Sequence, residues 1–135
     1  MKTEVHFRSS VFNTTERKEY FINDGCFGDD VCRWLIHKLK AQRVAVDDEP
    51  GQEDFGWYFN FEVDGVKHCF VVGFRPDDPP GSGEWVGWVE RDAGFLASLV
   101  GGRRRGISDA AVHAVEQVLK SAPEIADVTW HQVSW

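Results

Sequence analysis

The clearest pattern in the chain is a pair of alternating apolar segments on either side of Asp64-Gly65. Asp-Gly is a common two-residue β-hairpin turn, because glycine tolerates the positive φ that a type I′ turn requires. Counting outward from this turn pairs Phe59 with Phe70 and Trp57 with Val72. A slip of one residue would move the aromatic row into water, so we expect a firmly held register. The apolar face of this predicted hairpin comprises Trp57, Phe59, Phe61, Phe70 and Val72.

Two other segments have the 3.6-residue apolar spacing of amphipathic helices. The first begins near Asp29 or Asp30, either of which can cap free amide groups and oppose the helix dipole. The second has Ser108 as N-cap and ends before Pro123. The residues predicted to form the buried stripes are Val31, Cys32, Trp34, Leu35, Ile36, Lys38 and Leu39 in the first helix, and Ala111, Val112, Val115, Val118, Leu119 and Ala122 in the second.

Four shorter segments predict further strands at residues 4–8, 43–46, 84–90 and 127–135, giving the order β-α-β-β-β-β-α-β. Consecutive strands with short connections favour an antiparallel sheet, and both helices are most simply placed on one of its faces. A chain of 135 residues fits one domain. We therefore predict a single α+β domain over residues 1–135, with a mainly antiparallel sheet of about five to six strands.

Composition narrows the class of protein. The chain is 42% hydrophobic with six Trp and ten Phe, so it can build a core without disulfides or metal. Three cysteines at irregular spacing predict reduced thiols. No apolar run approaches the roughly 20 residues of a transmembrane helix, and the N-terminus has no signal segment. These features predict a cytoplasmic protein that binds no membrane. A net charge of −7 argues against nucleic acid as a partner.

The acidic segment before the aromatic strand is the first candidate site. It contains Asp47, Asp48, Glu49, Glu53 and Asp54. Clustered carboxylates can bind a hard cation or transfer protons, although the spacing does not match a calcium-binding loop. The alternative interpretation is a solvated acidic loop that protects the edge of the sheet.

A second candidate is the run of three arginines at residues 103–105, which glycines flank. It can hold a phosphate or carboxylate, or remain a solvated loop. If it lies at the same end of the sheet as the acidic segment, the two would border a groove suited to a peptide, a protein segment or a small charged ligand. The ligand-binding residues predicted on this basis are Glu49, Glu53, Asp54, Trp57, Arg103 and Arg104.

Enzyme signatures are absent: the chain lacks the serine nucleophile elbow, the P-loop and the dinucleotide fingerprint, and no cofactor or metal is predicted. A small binding or protein-interaction module is therefore the leading hypothesis. A first alternative is a hydrolase or metal-assisted enzyme that uses Glu49, Glu53, Asp54 and His68. A second is a homodimer formed through an exposed sheet edge or the surfaces of Trp88 and Trp135.

The segment from Glu49 to Trp57, with the aromatic strand after it, resembles a recurring motif of small uncharacterised bacterial proteins. The similarity continues loosely through Trp85 and Val128-Thr129-Trp130. It implies a bacterial source and a compact α+β domain, and it assigns no catalytic residue.

Overall fold

The computed structural model describes residues 1–16, 18–21, 26–53, 56–76, 83–91 and 106–132. These residues form seven strands and two long helices in the order β-α-β-β-β-β-β-α-β. The strands are β1 (Glu4–Arg8), β2 (Ala45–Val46), β3 (Gly51–Glu53), β4 (Gly56–Val63), β5 (Val66–Arg75), β6 (Glu84–Arg91) and β7 (Ala126–His131); the helices are α1 (Asp29–Ala41) and α2 (Asp109–Ser121).

The strands form one sheet in the order β2-β4-β5-β6-β1-β7, with β3 also paired to β4. Every described pairing is antiparallel, so the predicted α+β class is confirmed. The prediction missed β3, which lies inside the segment expected to be an acidic loop. Gly51 lies opposite Tyr58 and Glu53 opposite Gly56. Strand β3 therefore pairs with the part of β4 that the two-residue β2 does not reach.

The β4–β5 hairpin has the predicted register, with Phe59 opposite Phe70 and Trp57 opposite Val72. Its turn residues Asp64 and Gly65 have φ values of 53° and 77°, as a type I′ turn requires. The polarity pattern and the turn chemistry thus select the same pairing.

Both helices pack against the hairpin face that carries the aromatic residues. Phe59 and Phe70 are fully buried there, in one core cluster with Leu35 of α1 and Val115 of α2. The prediction was wrong for Lys38, which lies at the margin of the apolar stripe of α1 and is exposed. Its ammonium lies 6.0 Å from the centre of the half-buried Trp34 ring. The core therefore lies between two helices and one face of the sheet.

The helix starts differ in how they are capped. Ser108 is the N-cap of α2, and its hydroxyl accepts a hydrogen bond from the Ala110 amide at 3.1 Å. In α1 the N-cap is Gly28 instead of an aspartate, with φ 138° and no side-chain cap. A β-carbon at Gly28 would lie 3.0 Å from the Val72 carbonyl. Contact with β5 therefore favours glycine where the local sequence suggested an acidic cap.

We expect Phe59→Ala to lower the free energy of unfolding by about 3–5 kcal/mol, the usual loss for a large buried aromatic side chain. Chemical denaturation monitored by tryptophan fluorescence measures this loss. The exposed change Gln117→Ala on α2 serves as control and should alter stability by no more than about 0.5 kcal/mol. A loss below about 1 kcal/mol for Phe59→Ala would contradict the assignment of the core face.

Candidate functional site

The acidic segment is attached to α1 by ion pairs. The Asp48 carboxylate binds Lys40, and the Glu49 carboxylate binds Arg33. The hydrogen bond from Lys40 lowers the pKa of the Asp48 carboxyl. All four side chains are substantially exposed, so the ion pairs contribute little stability. They still hold the segment against α1. Because the carboxylates of Asp48 and Glu49 are already paired, a ligand would have to compete for them.

Asp47 has a structural role in the same segment. Its amide donates to the Asn60 carbonyl at 3.0 Å, and its carboxylate accepts from the Asn60 amide at 2.9 Å. These bonds extend the β2–β4 ladder by one position. A shallow cavity of about 300 Å³ lies beside them, bordered by Glu62 and Lys67.

Several predicted ligand-binding residues lie outside the part of the chain that the structure describes. These are Asp54, Arg103 and Arg104, and of Glu53 only the backbone is described, at the end of β3. The predicted groove between the acidic segment and the arginine run therefore stays a prediction. The two remaining members, Glu49 and Trp57, can be assigned contacts.

Trp57 is packed inside the protein. It is only 5% exposed, and its indole N–H donates to the Cys26 carbonyl at 2.8 Å. Tyr20 and Phe21 meet its ring with centroid distances of 6.1 and 5.6 Å. Through these contacts the indole fixes the segment before α1 onto β4, and little of its surface is left for a ligand.

Trp85 offers a matched comparison for Trp57. It is fully buried, yet its indole nitrogen has no hydrogen-bond partner among the described residues. Replacing either tryptophan by phenylalanine removes similar packing. Only the change at Trp57 breaks a hydrogen bond and deprives the Cys26 carbonyl of its indole donor.

We therefore expect Trp57→Phe to destabilise the protein more than Trp85→Phe, by roughly 1–3 kcal/mol, because the second change removes an unpaired buried donor. Parallel urea denaturation of the two variants measures the difference. Equal losses, or a larger loss at Trp85, would argue against a structural role for the Trp57 hydrogen bond.

A carboxylate–phenol network lies at the start of α1. The Tyr20 hydroxyl donates to the buried Asp29 carboxylate, and this bond raises the pKa of Tyr20 to about 12. Asp30 accepts from the Asn13 amide at 2.7 Å. Burial raises the pKa of the Asp30 carboxyl. These acids lie where the positive end of the helix dipole stabilises them, and their contacts tie the segment before α1 to the helix.

His68 connects β5 to the start of α2. The ring is fully buried, and Nδ1 lies 3.1 Å from the Val66 carbonyl. The Ser108 amide donates to Nε2 over 3.0 Å. Since Nε2 must accept, the proton lies on Nδ1 and the ring is neutral. His68 therefore holds in place the residue that caps α2.

This geometry bears on the hypothesis of an enzyme site built from Glu49, Glu53, Asp54 and His68. Both ring nitrogens of His68 are engaged by backbone groups, and Glu49 is bound to Arg33. Neither nitrogen is left to pair with a carboxylate. The contacts of the described members therefore give this hypothesis no support.

His68 should make the fold sensitive to acid. Burial lowers the pKa of His68 below its ordinary value of 6.5, and the positive charge of Arg91 acts in the same direction. As the pH falls below about 6.5, the unfolded chain binds a proton here before the folded chain does, so stability decreases with falling pH.

We expect His68→Gln to remove this part of the acid destabilisation, since glutamine can donate and accept without titrating. Unfolding free energies between pH 7.5 and 5 measure the effect. His113→Gln, at an exposed position of α2, is the control and should retain the parental pH profile. The same acid sensitivity in His68→Gln as in the parent would refute the assignment.

A cluster of ionisable groups that no sequence pattern predicted lies on the second face, which we define as the sheet surface turned away from α1 and α2. His6 of β1 lies between two carboxylates, with Nε2 2.9 Å from Glu4 and Nδ1 3.4 Å from Glu84. The His131 ring packs on His6 with 4.4 Å between centroids. Arg75 approaches Glu84 at 3.7 Å.

Strand geometry explains this cluster. Val5 and Phe7 of β1 are fully buried in the core, so the alternate residues Glu4 and His6 point to the second face. Glu4 lies opposite His131 in β7. The alternation of β1 was visible in the sequence, but the pairing of β1 with both β6 and β7 was not. Without that pairing, the histidines and glutamates appear isolated.

The chemistry open to this cluster is ion recognition. His6, Glu4 and Glu84 are 18%, 29% and 24% exposed in their side chains, so solvent reaches all three. The described residues contain no group of three His, Cys, Asp or Glu side chains arranged to hold a metal ion. Cys26, Cys32 and Cys69 are reduced thiols, and burial raises the pKa of the Cys32 thiol well above its usual range.

Comparisons with protein-family models, curated proteins and solved structures found no match to this chain. No helix in the described ranges is long and apolar enough to cross a membrane.

Proposed function

We propose that this protein is a small binding module, and that the cluster formed by Glu4, His6, Glu84 and His131 on the second face recognises a cationic segment of a partner protein. One observation carries the proposal: two solvent-accessible carboxylates converge on a single imidazole. The bacterial source and the cytoplasmic location expected from the sequence belong to the same proposal.

The cluster differs from the other charged contacts in its position. The acids at the start of α1 bind backbone and phenol groups that fasten a loop, and those after β2 bind α1. The pair around His6 instead lies across the neighbouring strands β1 and β6, which the core and the ladder already hold together. The fold therefore has little need of it, and a ligand can compete for its carboxylates.

Charge favours a basic ligand. The chain carries a net charge of −7, which attracts cations over long range and increases their rate of encounter. A lysine or arginine side chain of the partner would bind Glu4 and Glu84 from the solvent side through charge-assisted hydrogen bonds. A peptide segment supplies such a cation, and its backbone groups can form hydrogen bonds with the polar residues beside the cluster.

The experiment is an NMR titration of the labelled protein with a lysine hexapeptide and, separately, a glutamate hexapeptide. We expect the lysine peptide to shift the ring signals of His6 and His131, and the glutamate peptide to leave them unchanged. Glu84→Gln should weaken lysine-peptide binding by about tenfold or more, the effect of losing a charged hydrogen-bond partner.

Glu116→Gln is the matched control, because it removes the same charge from a side chain of similar exposure, 29% against 24%, on α2. Equal losses in both variants would show attraction to net charge alone and would refute the proposed site. Glu49→Gln and Arg104→Ala test the groove expected from the sequence. If Glu49→Gln loses binding of the lysine peptide and Glu84→Gln does not, or if the glutamate peptide binds and Arg104→Ala abolishes that binding, the ligand binds there instead.

A further inference from the structure

We infer that strand β7 is the docking surface for a second copy of this chain, which would join two sheets edge to edge about a two-fold axis. The inference does not rest on the proposed ligand site. It depends on the contrast between the two edges of the sheet and on the residues along β7.

The two sheet edges are unequal. At one edge, β4 is covered by the short strands β2 and β3, of two and three residues. At the other, the six-residue β7 pairs with β1 and has no partner on its outer side among the described strands. Ala126, Asp127, Thr129 and His131 are exposed.

An unpaired strand of this length offers backbone donors and acceptors to another chain, and proteins usually protect such edges with lysine, proline or bulges. The sequence of β7 contains neither lysine nor proline. Its protection is confined to one end, where Asp127 has φ 56° and the pairing with β1 shifts register. From Val128 to His131 the strand carries no such interruption.

The residues of β7 are arranged so that two copies of the strand can pair with each other. In an antiparallel pair centred on Thr129, Val128 lies opposite Trp130 of the partner subunit, and this contact occurs twice. Both side chains are half-buried against the core, so the pairing extends the apolar face of each sheet. On the second face Thr129 lies opposite Thr129 of the partner subunit. Asp127 stays at the interrupted end of β7, where its carboxylate lies 4.0 Å from Arg8 of β1.

The occupant is a second copy because this register pairs each half-buried apolar residue of β7 with another. Directly opposite residues of an antiparallel pair share a face, and the Thr129-centred register matches apolar with apolar on the core face and threonine with threonine on the second face. The contact area of a single edge strand is at the small end of protein interfaces. The dimer is therefore expected to exchange with monomer and to depend on concentration.

Sedimentation velocity over a wide concentration range tests the inference. The parent should move from 15.3 kDa at low concentration toward twice that mass at high concentration. Thr129→Lys places two like charges directly opposite each other across the axis, which is destabilising. It should weaken the dimer about tenfold or more, while Thr129→Val should leave it intact.

Gln117→Lys is the charge-matched control, since Gln117 is exposed on α2; this variant should dimerise as the parent does. Amide exchange in the parent should slow along β7 as concentration rises, which provides a readout independent of any variant. A mass of 15.3 kDa throughout, undiminished dimerisation of Thr129→Lys, or equal weakening by Gln117→Lys would each overturn the inference.

Discussion

Burial of the aromatic face of the β4–β5 hairpin is the constraint on which the rest of the structure depends. Phe59 and Phe70 are fully removed from water because α1 and α2 both pack on that face. Apolar burial contributes roughly 25 cal/mol per Å², so these large rings supply much of the driving force for folding. Their position also fixes which side of every other strand faces the core.

Several side chains that were candidates for catalysis or ligand binding instead have structural roles in this fold. Both nitrogens of His68 bind backbone groups, one of them at the start of α2, and Trp57 holds the segment before α1 through its indole N–H. A neutral imidazole between two backbone groups is suited to holding two elements together and poorly suited to accepting a proton. The groups that we propose for recognition are instead those around His6, because the core does not require their ionic contacts.

The two edges of the sheet also differ, one being covered and the other open. One edge is closed by short strands, whose acidic connection is held to α1 by Lys40 and Arg33. The other ends in β7, where half-buried Val128 and Trp130 border exposed backbone. The two contacts that we propose lie on different surfaces: the charged cluster on the second face and the edge at β7.

The sequence by itself determined the elements whose signals are local. Asp64-Gly65 and the alternation around it specify the hairpin register, and Ser108 with the 3.6-residue stripe after it specifies α2, because turn and cap chemistry act within a few residues. It did not reveal β3, whose residues Gly51–Glu53 lack apolar alternation and are strands only because they pair with β4. The His6 cluster likewise required the tertiary structure, since Glu4, Glu84 and His131 are far apart in sequence and meet only through the order β6-β1-β7. Which strands become neighbours is decided by long-range pairing over one shared core, and no local pattern records that choice.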